Sequence, residues 1–176
     1  MPPLRPRAAA VPALVLALAA CHDTPTNRAA EPEPPRVPPV AAGELRVAIQ
    51  LLDSAAGEAR VALRLEHPGV RVGAYSGTAR FDVAGVEVVD AVAAAGSGGL
   101  VNASTGEAGA VRFAGFDVAG VRSDVIATVR LRVRDWGALA RTTTELTAAA
   151  TDAGVAVEGA RLRQARGVTI AAGGAR

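Results

Sequence analysis

Val125-Ile126-Ala127-Thr128-Val129-Arg130-Leu131-Arg132-Val133 is the stretch whose reading decides the fold. Val125, Ala127, Val129, Leu131 and Val133 fall on one side of an extended chain. Ile126, Thr128, Arg130 and Arg132 fall on the other, and Arg134 continues that side. Side chains of a strand point alternately to opposite faces, so period two with one apolar side marks a half-buried strand. β-branched residues suit such a pleated surface.

The alternation recurs in both directions. Val61, Leu63 and Leu65 alternate with Arg60, Arg64 and Glu66. Tyr75, Gly77, Ala79 and Phe81 alternate with Ala74, Ser76, Thr78 and Arg80, and Val111 and Phe113 flank Arg112. Turn-forming residues separate these runs: Asp53 to Gly57, His67-Pro68-Gly69, Gly96 to Gly99, Thr105-Gly106, Asp117 to Gly120 and Asp152-Ala153-Gly154. The pattern predicts about nine strands, near 45–52, 58–66, 72–82, 86–94, 99–103, 109–116, 124–134, 143–150 and 167–171, with a short extra piece near 155–158. No helix of useful length is expected after residue 44. Ala138 to Ala150 has a helical look, but Thr142, Thr143 and Thr144 favour a strand. Many short strands with regular turns make the domain, residues 44–176, an all-β sandwich or barrel.

The 176 residues leave room for one such domain, and 50% apolar content is enough for a core. Aromatic residues make up only 3%, so that core must be aliphatic. Every basic residue is Arg. The formal charge of +2 includes Arg5 and Arg7, which lie in a segment expected to be removed. The remainder is close to neutral, and a nucleic-acid ligand, which demands a basic excess, is excluded.

Residues 1–20 read as an export leader. Arg5 and Arg7 supply a positive start, and Ala8 to Ala20 is an apolar run interrupted only by Pro12. The run is too short to cross a bilayer of ~30 Å, which takes roughly 20 residues. It ends in Leu18-Ala19-Ala20-Cys21, which resembles the lipobox of bacterial lipoproteins. That resemblance implies cleavage before Cys21, a diacylglyceryl group on its thiol, and anchoring in the cell envelope. His22 after the cysteine favours the outer membrane or cell surface. A single Cys also excludes an internal disulfide. Between Cys21 and residue 43 come Pro25, Pro32, Pro34, Pro35, Pro38 and Pro39. This stretch predicts a semi-stiff polyproline spacer of ~3.1 Å per residue between lipid and domain.

Four segments together resemble the cohesin domain and the wider cohesin-like branch of carbohydrate-binding β-sandwiches. Ala79-Arg80-Phe81-Asp82 followed by Val86-Glu87-Val88-Val89 is similar to the family's aromatic-Asp-Pro piece and the strand after it. Gly109 to Phe113, Val125 to Val133 and Gly167 to Ile170 are similar to three later strands, in order, so that the likeness spans about residues 44 to 171. The resemblance implies a nine-stranded jelly-roll sandwich with a flat outer sheet face. In cellulosomal cohesins that face binds the dockerin module. Ala74 and Ser76 stand where those cohesins carry polar Asn and Asp on the third strand, and Val83 stands in place of the proline. A protein partner is thus implied, with a glycan as the alternative of the same superfamily and a purely structural envelope lipoprotein as a third.

Candidate site residues follow from the surface side of the strands. Arg130, Arg132 and Arg134 form an outward row that Arg112 is expected to join, and such a row can grip acidic groups with bidentate contacts. Its plainer reading is a solvated face with cross-strand acidic partners. For stacking on a sugar, Phe116 and Trp136 are the rings expected at the surface, while Tyr75, Phe81 and Phe113 point inward. His22 and His67 belong to no catalytic constellation, and no enzyme is expected. No His/Cys cluster suggests zinc. Asp117, Asp124 and Asp152 are the loop carboxylates a calcium ion would draw on, but they lack Asp-x-Asp spacing, so no cofactor beyond the Cys21 lipid is expected.

Overall fold

A computed structural model of the chain describes residues 39–94 and 104–170. The leader, Cys21, most of the proline-rich stretch, the expected 99–103 strand, the Gly96 to Gly99 turn and residue 171 lie outside the described residues. Alternation does set the strands. They are β1 (Leu45–Ala55), β2 (Glu58–Glu66), β3 (Val72–Arg80), β4 (Val86–Ala93), β5 (Ser104–Glu107), β6 (Ala110–Phe116), β7 (Val125–Val133), β8 (Thr143–Thr151), β9 (Leu162–Arg163), β10 (Ala165–Arg166) and β11 (Val168–Ile170). They form two sheets. One runs β11-β1-β2-β7-β4, with β9 also beside β1; the other runs β10-β8-β3-β6-β5.

The inner faces make one aliphatic filling, as the composition demands. Val47, Ile49, Val61, Leu63, Val129 and Leu131 from the first sheet meet Tyr75, Ala79, Val111, Phe113 and Leu146 from the second. Val129 and Leu131 are 0% exposed. Removing such side chains from water is worth about 1.5–3 kcal/mol each. The two rings of β3 and β6 lie over glycines. Tyr75 faces Gly115 across the strand pair, and Phe113 faces Gly77. A methyl group on Gly115 would fall 2.3 Å from Tyr75 Cζ, and one on Gly77 would fall 2.6 Å from Phe113 Cζ. The rings sit 6.4 Å apart and tilted by 46°. Each ring thus occupies the space a side chain would fill on the neighbouring strand.

Several boundaries differ from the sequence reading, each for a local reason. The turn expected over 53–57 shrinks to Ala56-Gly57, with φ values of 46° and 83°. Positive φ at both positions is the type I′ hairpin geometry that matches strand twist, so β1 runs on to Ala55. Thr105-Gly106 is not a turn but part of β5; the hairpin closes at residues 108–109, where Gly109 takes φ 71°. Ile126, expected on the outer face, is 0% exposed. The β2–β7 register is irregular between Leu63 and Arg64 and skips Ile126, which breaks the alternation there. A 3₁₀ turn at Trp136–Arg141 is capped by Asp135, whose side chain accepts from Gly137 N–H. The piece expected near 155–158 is a single bridge between Ala150 and Ala156. The closing strand is really three short pieces. β9 and β11 pair parallel to β1, while β10 pairs with β8 of the other sheet.

Two substitutions test this packing. Gly77→Ala should lower the unfolding free energy by about 1–3 kcal/mol in urea melts, because the added methyl meets both Phe113 and the Glu145 carbonyl. Ala56→Asn should raise it by several tenths to about 1 kcal/mol, since Asn tolerates the left-handed conformation better than Ala.

Candidate functional site

The sandwich presents two outer sheet faces of opposite character. On the β1-β2-β7-β4 face, arginines alternate with carboxylates across strands. Arg132 Nη1 and Arg134 Nη2 both donate to Glu87 Oε2, at 3.0 and 3.2 Å. Arg60 reaches Asp53 at 3.3 Å, and Arg64 reaches Asp124 at 3.3 Å and Gln50 at 3.0 Å. Arg46 is paired with Glu66. Arg130 sits in register between Arg60 and Asp90. Arg46 is buried, but the other pairs are exposed and contribute about 0–1 kcal/mol each, so they keep a face soluble more than they hold it together. Arg130, Arg132 and Arg134 therefore do form one row, and acidic neighbours surround it.

Arg112 does not join that row. It points outward from β6, which belongs to the other sheet. Alternation tells which side of its strand a residue takes but not which sheet the strand enters. Phe116 and Trp136 are also kept apart. Phe116 ends β6 beside Ala74 at the start of β3, whereas Trp136 follows β7, where Arg134 N–H donates to Gly85 O at the opposite end. Phe116 is 57% and Trp136 46% exposed, so both are surface rings, but they do not make one stacking platform. Tyr75, Phe81 and Phe113 are buried, as expected.

The second face is built from β8, β3 and β6 at its centre. Its rows run Ala150–Ala74–Phe116, Ala148–Ser76–Ala114 and Glu145–Thr78–Arg112. The middle of the face carries only methyl and hydroxyl groups. Ser76 Oγ and Thr147 Oγ1 lie 3.1 Å apart, and Thr147 Oγ1 also donates to Ser76 O at 3.2 Å. The rings beneath are inside the sandwich, so nothing bulky rises from the centre. Sequence reasoning missed Ala114, Thr147 and Ala148 here. The alternation about Phe113 could have given Ala114. Ala148 could not be found, because a register irregularity between Ser76 and Gly77 shifts it outward.

Several titratable groups have structural partners. His67 Nδ1 donates to Val70 O at 2.7 Å and closes the β2–β3 turn, while its Nε2 lies 3.9 Å from Asp124 Oδ1. The Arg141 guanidinium, followed by the Ala84 N–H, holds the Asp82 carboxyl below its usual range. Arg163 does the same to Glu44. The three loop carboxylates have separate tasks. Asp117 Oδ1 accepts from Ala119 N–H at 2.8 Å, Asp124 pairs with Arg64, and Asp152 Oδ2 pairs with Arg71 Nε at 3.0 Å. Among the described residues no three His, Cys, Asp or Glu side chains are grouped to hold a metal ion.

With this geometry the strand order can be set beside solved structures. The chain is similar to the sixth cohesin of scaffoldin B from Acetivibrio cellulolyticus, solved in complex with a dockerin: 12% identity, TM-score 0.52, over 72% of this chain and 99% of that one. The fold is that of a cohesin module. A cohesin module of a family 33 glycoside hydrolase from Clostridium perfringens matches at TM-score 0.51 and 12% identity, over 72% of this chain and 98% of that one. The cohesin of a type I cohesin–dockerin complex from Clostridium thermocellum matches at 0.50 and 13%, over 72% and 99%. No known family profile matches the sequence, and no curated protein matches it either. The cohesin-like sandwich is thus kept by packing and topology, with few identical residues.

Tyr75 offers a clean probe of that packing. Its Oη has no hydrogen-bond partner among the described residues, and burial raises its pKa from 10.0 to about 12. The fold favours the neutral phenol, so this contribution to stability is complete below pH 10.0 and is lost as pH rises through about 12. Tyr75 is the chain's one tyrosine. Its tyrosinate absorbance should appear near pH 12 in the folded protein and near pH 10 in denaturant. Tyr75→Phe should flatten the alkaline loss of stability, read from urea midpoints across that window.

Proposed function

We propose that this chain is an exported, lipid-anchored, non-catalytic module that binds a protein on the outer face of its β8-β3-β6 sheet. Leu18-Ala19-Ala20-Cys21 supports the anchor, and the proline-rich run after it supports a spacer. The observation that carries the binding reading is the contrast between the faces. One is covered by cross-strand ion pairs, whereas the other carries small side chains at its centre.

Size decides whether such a face suffices. Three strands spaced ~4.8 Å apart, each rising ~3.3 Å per residue, give a patch of roughly 15 by 25 Å. Covering it buries on the order of 400 Å² of this partner and about 800 Å² in total, the size of a small, transient interface. Dockerin is the partner in complexes formed by structurally similar cohesins. Here Ala74 and Ser76 offer a methyl and one hydroxyl on the central strand of the face. Recognition by this chain rests on shape and apolar contact more than on polar readout.

Photo-crosslinkers at Ala114 and at Arg130, in the full mature chain within its native envelope, separate the two faces. Adducts should form from position 114 and not from 130. Ala148→Arg, two strands away in the same row, should cut the yield from position 114 at least tenfold, as buried-charge substitutions at an interface centre do, with an unchanged melting temperature. Adducts from 130 alone, or none from 114, would refute the docking face. Mass spectrometry of the N-terminal peptide should find Cys21 diacylated; a free thiol would remove the anchor.

A further inference from the structure

The chain enters the sandwich at one particular end. Gly43 N–H donates to Pro68 O at 2.9 Å, so the segment leading from Cys21 arrives beside the β2–β3 turn. The β6–β7 and post-β8 loops project from the same end. Asp117 N–H and Val121 N–H donate to Gly73 O and Val72 O, at 2.7 Å each, and Asp152 N–H donates to Arg71 O at 3.0 Å. Arg71 clasps the two loops, pairing with Asp152 and donating from Nη2 to Ala119 O at 3.5 Å.

These loops are held firmly and yet they present apolar side chains. Val118 is 75% exposed, Val155 62% and Phe116 57%. The first loop is closed by Gly120 N–H on Asp117 O at 3.0 Å, the second by Gly154 N–H on Thr151 O at 2.9 Å. Both apolar tips are therefore fixed outward. Arg122, exposed beside them, meets no carboxylate among the described residues. Single exposed apolar residues are ordinary, but Val118 and Val155 on clasped neighbouring loop tips, with Phe116 at the adjoining end of β6, call for an occupant.

We propose that this end of the sandwich rests on a membrane, with Val118, Val155 and Phe116 in the headgroup layer and Arg122 among anionic headgroups. The inference rests on the anchoring reading above. Loop tips are convex, and a soft lipid surface accepts convex apolar tips without a matching pocket. A spacer sets the greatest distance between domain and bilayer, not the least. Its tethering raises the effective concentration to a level at which a weak contact of three side chains is populated.

The far end carries Val83 and Trp136, at 58% and 46% exposure, and serves as the control. Trp136 is the only tryptophan. The wild-type chain thus reports the far end, and a Trp136→Phe, Val118→Trp chain reports the proposed contact. Both are placed as mature chains on phosphatidylethanolamine–phosphatidylglycerol vesicles containing brominated lipid. They are held by the native lipid on Cys21 or, should that thiol prove free, coupled through it to a maleimide-headed lipid. The N-terminal mass thereby tests the anchor alone, and the quenching tests the contact in either case. Bromolipid should quench the tryptophan at 118 several-fold more than Trp136. Equal quenching of both, quenching of Trp136 alone, or quenching of neither would overturn the proposal.

Discussion

The reciprocal fit of two rings over two glycines on β3 and β6 is the constraint on which both surfaces of that sheet depend. Few aromatic side chains are available to fill the space between sheets. Tyr75 over Gly115 and Phe113 over Gly77 use them twice, once as filling and once as cover for bare backbone. The rings stay shallow, and the aliphatic side chains of β1, β2 and β7 can close on them. Core packing and the candidate docking face are two sides of the same strand pair.

The two outer faces show how one alternation can serve opposite ends. On β7 and its neighbours the outward positions are long and charged, and acidic partners from adjacent strands meet them. Such a surface resists sheet stacking and adventitious contact. On β3 and its neighbours the middle row, Ala148–Ser76–Ala114, is short, which lowers the desolvation cost of covering it. A module that must meet one partner and avoid others gains from having both.

Much of this was legible in the chain itself. Val129, Leu131, Val61 and Leu63 announced their burial through period two, because a half-buried strand leaves that pattern regardless of its neighbours. Ile126 did not, since its burial depends on an irregular pairing with β2, more than sixty residues earlier in the chain. Arg112 and Arg130 look alike in sequence, and only the sheet to which each strand belongs separates them. The short 3₁₀ turn at Trp136 left no period to read, and its signal was the single capping carboxylate of Asp135. The docking face was hidden for a further reason: its residues are Ala, Ser and Thr, which carry no chemistry of their own and matter only once they lie side by side.

The last residues of the sandwich alternate between its sheets, with β9 and β11 on β1 and β10 on β8. Gly167 N–H bonds to Thr142 O at 2.7 Å and Thr169 Oγ1 to Ile49 O at 3.0 Å, so both sheets are fastened by the same few residues. The ion pair of Arg163 with Glu44 spans 119 positions. The first strand to emerge from a ribosome is thus completed by the last, and contacts of such long sequence separation form late. The entropy of closing so long a loop is lost before these contacts can reward it, which slows the closing of the sandwich.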